Sequence, residues 1–202
     1  MSNFSSMADR DRIEAEAAWP VPDMPADVYA MLERTAARHP RRPALSFQMF
    51  ADPRSRAETL DWAGFHARVT QAANLFRSLG VNEGDAVAYV LPNATETAVT
   101  LIGAMTAGVV CPVNPLLAAD QIAAILRETG ARAVVTLKPF PRTDIPQRVA
   151  AALALAPEVR TVIEVDLARY LPVPKRWIVP FMRPQIAARP RVEVLDLAAS
   201  LA

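Results

Sequence analysis

Leu79-Gly80-Val81-Asn82-Glu83-Gly84-Asp85-Ala86-Val87-Ala88-Tyr89-Val90-Leu91-Pro92-Asn93 is the stretch that decides the fold. Gly80 ends a helical pattern, because glycine takes the left-handed conformation that a side chain resists. Asn82 to Asp85 is a turn composition, and Asp85 is placed for an Asx hydrogen bond to local backbone. Ala86 to Leu91 is an unbroken apolar run, the pattern of a strand buried on both faces. Pro92-Asn93 then opens another helix, with Asn93 and Glu96 spaced for a reciprocal capping arrangement. Helix, tight turn, buried strand and helix make one α/β unit.

The same unit recurs on either side. Upstream, Asp61 caps a helix that carries Phe65, Val69, Ala72-Ala73, Phe76 and Leu79 on one face, with Arg68, Gln71, Asn74 and Arg77 turned away. Downstream, a helix apolar on more than one face runs through Val99, Ile102-Gly103 and Met105 to Gly108 and should be buried nearly all round. The strand 109–113 follows at once. A helix over 120–129 stopped by Gly130, a strand over 132–137, an alanine-rich helix over 148–156 and a strand over 160–165 complete four helix–strand repeats with short connections. That alternation predicts α/β architecture, a mainly parallel sheet flanked by helices.

The flanks differ in texture. Residues 1–25 read as a leader, with a short charged helix over 9–18 and an extended Trp19-Pro20-Val21-Pro22. Residues 26–166 form the α/β subdomain. It opens with a helix from Asp27 to His39 and a hairpin whose strands are 43–48 and the region of Thr59-Leu60, joined by a polar turn over 51–56. Residues 167–202 are a proline-rich basic linker and the start of a next subdomain, with a last strand at 192–195. Between Arg169 and Arg191 lie six cations, five prolines, Tyr170, Trp177 and Phe181, and no acidic residue. Two readings suit this segment: an irregular loop that packs Trp177 and Phe181 onto the domain with its charges solvated, or a surface touching lipid headgroups or an amphiphilic acyl substrate.

Composition removes several function classes. With 22 Lys+Arg against 21 Asp+Glu the net charge is +1, so there is no general electrostatic case for a nucleic-acid partner. One cysteine and two histidines cannot build a disulfide framework or a Cys/His metal cluster. Cys111 lies in an apolar run and reads as a small buried hydrophobe. His39 at a helix end and His66 in a first turn lack relay partners and read as structural or solvated. Glu14 and Glu16 read as surface acids, and Asn114 beside Pro115 as a turn residue. No G-x-G-x-x-G or G-x-x-x-x-G-K-[ST] occurs. No catalytic, cofactor-binding or metal-ligating residue is assigned. Neither a secretory signal nor a membrane-length apolar run is present, which sets the expected compartment as cytoplasmic.

Four segments in order resemble the N-terminal part of the adenylate-forming (AMP-binding) acyl-CoA synthetases. They are Asp61-Trp62-Ala63-Gly64-Phe65 leading to Leu79-Gly80-Val81 and Gly84-Asp85; Leu91-Pro92-Asn93-Ala94-Thr95-Glu96; Ala107-Gly108 through Asn114-Pro115; and Thr129-Gly130-Ala131-Arg132 before Ala133 to Thr136. Family members begin the first of these with Thr-Tyr and a Glu three residues after the cap. Here Gly64 stands at the Glu position, cannot return the capping bond, and costs about 1 kcal/mol of helix propensity.

The resemblance implies a parent that makes acyl-CoA, AMP and pyrophosphate from an acid (a fatty acid is expected), ATP and CoA, with Mg²⁺. The family's phosphate loop, adenine motif, ribose-binding Asp and adenylating lysine occur nowhere in this sequence. The resemblance therefore implies an N-terminal subdomain truncated before the nucleotide-binding motifs, inactive alone and holding no cofactor itself. Its expected partners are the C-terminal portion of the ligase or a complementary chain, the carboxylic acid substrate in the parent, no nucleic acid, and a peripheral membrane contact through residues 169–191. A non-catalytic binding or scaffold lobe docking onto a complementary chain is the alternative.

Overall fold

The computed structural model describes residues 6–16, 23–186 and 192–201. Helix α1 (Met7–Glu16) begins two residues earlier than its charge pattern suggests and buries nothing. Helix α2 (Val28–Arg38) is capped by Asp27, whose Oδ1 accepts from the Ala30 amide at 2.7 Å, and it presents Leu32 and Ala36 to the core. Strands β1 (Pro43–Phe47) and β2 (Glu58–Asp61) form the expected antiparallel hairpin, with Phe47 opposite Glu58. Gln48 steadies its turn through the Asp52 carbonyl at 2.6 Å.

The four repeats then appear in order: α3 (Trp62–Ser78), β3 (Ala86–Val90), α4 (Thr95–Ala107), β4 (Val109–Pro112), α5 (Ala119–Thr129), β5 (Ala133–Leu137), α6 (Ile145–Leu153) and β6 (Thr161–Val165). After β6 come a 3₁₀ turn (Leu167–Tyr170), the short helix α7 (Lys175–Ile178), a second 3₁₀ turn (Val179–Met182), strand β7 (Glu193–Asp196) and helix α8 (Leu197–Ser200). All pairings in the five-stranded sheet are parallel, in the order β4-β3-β5-β6-β7. β5 and β6 are buried at every residue, whereas β4 and β7 are only partly covered, as expected of central and edge strands. Helices α3 and α4 pack together, as do α5 and α6. β7 lies beyond residue 166 yet pairs with β6, so the sheet runs across the boundary drawn there from composition. Among the described residues no helix is long and apolar enough to cross a membrane.

Most local signals match their elements. Asp61 Oδ1 accepts from the Gly64 amide at 2.8 Å, and Gly80 has φ +84°. On α3, Val69, Ala72, Ala73 and Phe76 are buried, with Phe65 and Leu79 packed at the core's margin. Helix α4 is buried along most of its length but exposes Met105. Helix α6 starts three residues before its alanine-rich run, because Pro146 fits the first turn of a helix, where its missing N–H has no partner to lose. The capping arrangement expected of Asn93 and Glu96 does not form. The helix is preceded by Ala94 with no side-chain cap, and Glu96 points elsewhere.

The amino end of the sheet is tied together at Asp85. Its Oδ2 accepts from the Asn82 amide at 2.9 Å, and its Oδ1 accepts from Arg132 Nε at 2.7 Å, joining the approach to β3 with the approach to β5. Its carbonyl accepts from the Val109 amide at 2.9 Å and starts the pairing of β3 with β4. Gly108 lies directly against this turn. A Cβ there would sit 2.5 Å from the Asp85 carbonyl oxygen and 2.7 Å from that of Asn82, both backbone atoms that cannot swing aside. Gly103 serves α3–α4 packing similarly, since a Cβ on it would meet Ala72 Cβ at 2.7 Å.

Two predictions follow from this turn. Gly108→Ala should lower stability in urea denaturation by about 1–3 kcal/mol through overpacking, whereas Gly84→Ala, with open space around it, should be near neutral. Bonds from the Asn82 backbone and side chain, and then from Arg132, hold the Asp85 carboxyl below its ordinary value of 3.8. The unfolded chain therefore takes up this proton more readily. The contribution to stability is complete above that ordinary value and is lost as pH falls through the folded-state value. Asp85→Asn should flatten the acid limb of a stability–pH profile; an unchanged limb would exclude Asp85 as its source.

Candidate functional site

Ligands of open α/β sheets bind outside the carboxyl ends of the strands, where the connections diverge. In the order β4-β3-β5-β6-β7 that point lies between β3, whose connection runs to β4, and β5, whose connection runs to β6. A groove of about 550 Å³ opens at this end of the sheet, bordered by Glu96, Asp166, Arg169, Trp177, Phe181 and Asp196. A larger hollow of about 990 Å³ lies instead beside α2, α3 and the Asn82 turn. Its arginine, Arg77, is bonded to the Thr106 carbonyl at 2.8 Å. We take the carboxyl-end groove as the candidate site because the strand topology directs ligands there.

Side chains from four elements meet beside the groove. Glu96, on the first turn of α4, is 7% exposed. Arg169, in the 3₁₀ turn after β6, donates through Nη1 to Glu96 and through Nη2 to Glu58 of β2. The Tyr170 hydroxyl lies 2.7 Å from Glu96 Oε2 and 3.1 Å from Glu58 Oε2. Its ring packs edge-on against Phe47 of β1, with centroids 4.7 Å apart. Burial, followed by the Glu96 carboxylate, pushes the Tyr170 phenol far above its ordinary value, so it remains a protonated donor. Further along, Arg183 Nη2 donates to Asp166 Oδ2 at 2.5 Å, and Lys138 Nζ lies 3.6 Å from Asp196 Oδ2.

Of the three arginines lining the groove, Arg169 and Arg183 are paired with carboxylates and Arg176 has no carboxylate partner among the described residues. Arg169, Arg183 and Lys138 each face a carboxylate, and three acids border the groove. The first turn of α4, near where an anion would ordinarily be welcome, already carries the Glu96 carboxylate, which is bound to Arg169 and Tyr170. Three acids and two paired arginines leave Arg176 as the groove cation open to an anion. Among the described residues no group of three His, Cys, Asp or Glu side chains could hold a metal ion.

The residues singled out by sequence fall elsewhere. Cys111 is half-buried on β4, and desolvation raises its thiol. His66 stacks beside Tyr29 at 5.3 Å, and the His39 amide bonds the Thr35 carbonyl at 2.9 Å. Asn114 Oδ1 accepts from the Leu116 amide at 2.9 Å, which is the expected turn. Glu14 and Glu16 are exposed on α1. Trp177 and Phe181 do not pack onto the domain: they are 67% and 91% exposed, and Val179 is buried in their place. Arg189 and Arg191 lie outside the described residues. Glu58 carried no local signal, because its partners are more than 100 residues away in sequence.

The Arg169–Glu96 pair is shielded enough that removing one partner strands a buried charge. Arg169→Leu should cost about 2–4 kcal/mol. Adding Glu96→Leu should recover part of that loss, giving a coupling of about 1 kcal/mol or more in a double-mutant cycle followed by urea denaturation. Additive losses would mean the contact contributes nothing.

A family model described as AMP-binding enzyme matches residues 32–194. The chain is 44% identical over 68 residues to the marinolic acid–CoA ligase of Pseudoalteromonas sp. (strain SANK 73390), covering 34% of this chain and 10% of that protein. It is 32% identical over 124 residues to the long-chain-fatty-acid–CoA ligase of Escherichia coli O157:H7 (60% and 21%). The match to the long-chain-fatty-acid–CoA ligase of Bacillus subtilis (strain 168) is 28% over 160 residues (77% and 26%). The matched stretches thus span between 10% and 26% of these relatives' own lengths. With the four motif segments lying in order through the parallel sheet and the family model matching most of the chain, the chain belongs to the AMP-binding enzyme family.

Proposed function

We propose that this chain is the N-terminal lobe of an ATP-dependent acid–CoA ligase acting on a fatty acid, and that it is inactive until the nucleotide-binding portion is supplied by the rest of such a protein or by a complementary chain. In the parent reaction the carboxylate attacks the α-phosphorus of ATP and releases pyrophosphate; the CoA thiol then displaces AMP from the acyl-adenylate. That chemistry needs ATP, CoA, Mg²⁺ and donors preorganised around the phosphoryl group. The observation that carries the reading is the neutralised carboxyl end of the sheet. Arg169 and Arg183 are already bound to Glu58, Glu96 and Asp166, so of the arginines lining the groove Arg176 alone is left to face a triphosphate, too little to cradle it. The lobe's own task is then to buttress the nucleotide-binding half and form one wall of the cleft. The fatty-acid assignment is supported by relatives named for long-chain acids.

Two measurements test this. In ¹⁵N–¹H correlation spectra, dispersed peaks should ignore ATP with Mg²⁺, and saturable shifts at micromolar ATP would overturn the inactive-lobe reading. A chimera should also be made in which this chain replaces the matched 124-residue stretch of the E. coli relative. It should form palmitoyl-CoA from palmitate, ATP and CoA. A folded chimera that turns over no acid would favour the non-catalytic scaffold instead.

A further inference from the structure

No residue from Arg41 to Asp61 is buried, and of the hairpin's side chains Phe47 and Met49 pack against the core's margin. From Arg169 to Met182 the chain is covered as thinly, with Val179 alone buried. These two stretches lie more than 100 residues apart in sequence, yet they hold each other. Arg169 Nη2 and the Tyr170 hydroxyl reach Glu58, and the Tyr170 ring packs on Phe47. Both are fastened through Arg169 and Tyr170 to Glu96, which is buried on α4.

We propose that the β1–β2 hairpin and the turn after β6 form one flap, latched to Glu96 by Arg169, that opens as a unit and governs access to the carboxyl-end groove. Segments with little buried apolar surface open at a lower free energy than core strands. Here the ties are mostly charged and polar groups, and water takes over their bonds once they part, which keeps opening cheap relative to exposing the sheet. Arg169 and Tyr170 each touch both carboxylates, so movement of the turn away from Glu96 also breaks the hairpin's hold. Ala168 and Arg169 of the flap and Glu96 of the fixed helix all line the groove, whereas Asp196 and Leu197 bound it from β7 and α8. Opening therefore moves one wall and leaves the other in place. The regulatory sense of this motion rests on the reading of that groove as the functional site.

Native-state hydrogen exchange of the whole chain, resolved by residue in ¹⁵N–¹H spectra, tests the flap. Amides of β1 and β2 should exchange at least about a hundredfold faster than those of the central strands β5 and β6. Glu58→Gln removes one charge from the hairpin. It should speed exchange in β1 and β2 about fivefold or more. The amides of Ala168, Arg169 and Leu171, each bonded within the turn, should quicken by the same factor. Ala168 is buried, so in a Cys111→Ser background the thiol of an Ala168→Cys variant reports on access to the groove. Its maleimide labelling should accelerate on adding Glu58→Gln by that factor too. Hairpin amides as slow as those of β5 and β6 would sink the proposal. So would a Glu58→Gln effect confined to the hairpin, or labelling at position 168 that the hairpin substitution leaves unmoved. Neither readout involves nucleotide or acid, so its outcome is separate from that of the ATP titration and the chimera.

Discussion

The carboxylate and carbonyl of Asp85 hold one end of this sheet in register. A single residue joins its own turn through Asn82, fixes the approach to β5 through Arg132, and begins the β3–β4 ladder through the Val109 amide. The approach is so close that only glycine fits at 108. Three of the four family segments thus meet at one point: Gly84-Asp85, Ala107-Gly108 and Gly130-Ala131-Arg132. In this chain their shared task is architectural, because they set the register of β4 and β5 against β3.

The opposite end of the sheet is closed by different means. Arg169 and Tyr170 bridge Glu58 on the hairpin and Glu96 on α4, so the β1–β2 hairpin is tied to the sheet's carboxyl end by charge-assisted bonds. A buried arrangement of this kind is weak evidence for net stability, since desolvating the charges offsets much of their attraction. Its clearer effect is positional. It neutralises the first turn of α4 and brings the chain after β6 back across the strand ends.

The sheet was legible because its information is local. An apolar run between turn signals specifies a central strand whatever its neighbours are, and β3, β5 and β6 are such runs. Asp27, Asp61 and Gly80 act within one helical turn and were equally readable. The Glu58–Glu96–Arg169–Tyr170 cluster was not readable, because nothing near Glu58 announces a partner more than 100 residues away. Glu96 shows the cost of reading spacing alone. Its position three residues after Asn93 fits a cap, but a half-buried guanidinium is a stronger partner than a backbone amide at a helix end. Trp177 and Phe181 failed for a related reason: hydrophobicity predicts burial only where the surrounding chain offers a surface to cover.

The strand order also constrains how the molecule assembles during synthesis. β3 is made before β4 and β5, and both add to it, one on each edge. β6 then extends one side, and β7 must wait for the whole excursion through Lys175 and Met182 before reaching β6. Because the cost of closing a loop grows only slowly with its length, that late pairing is affordable in free energy but remains the most distant in time. On the ribosome the edge of β6 is therefore bare until β7 emerges, which makes it the interval in which a nascent chain is most open to pairing with the wrong strand.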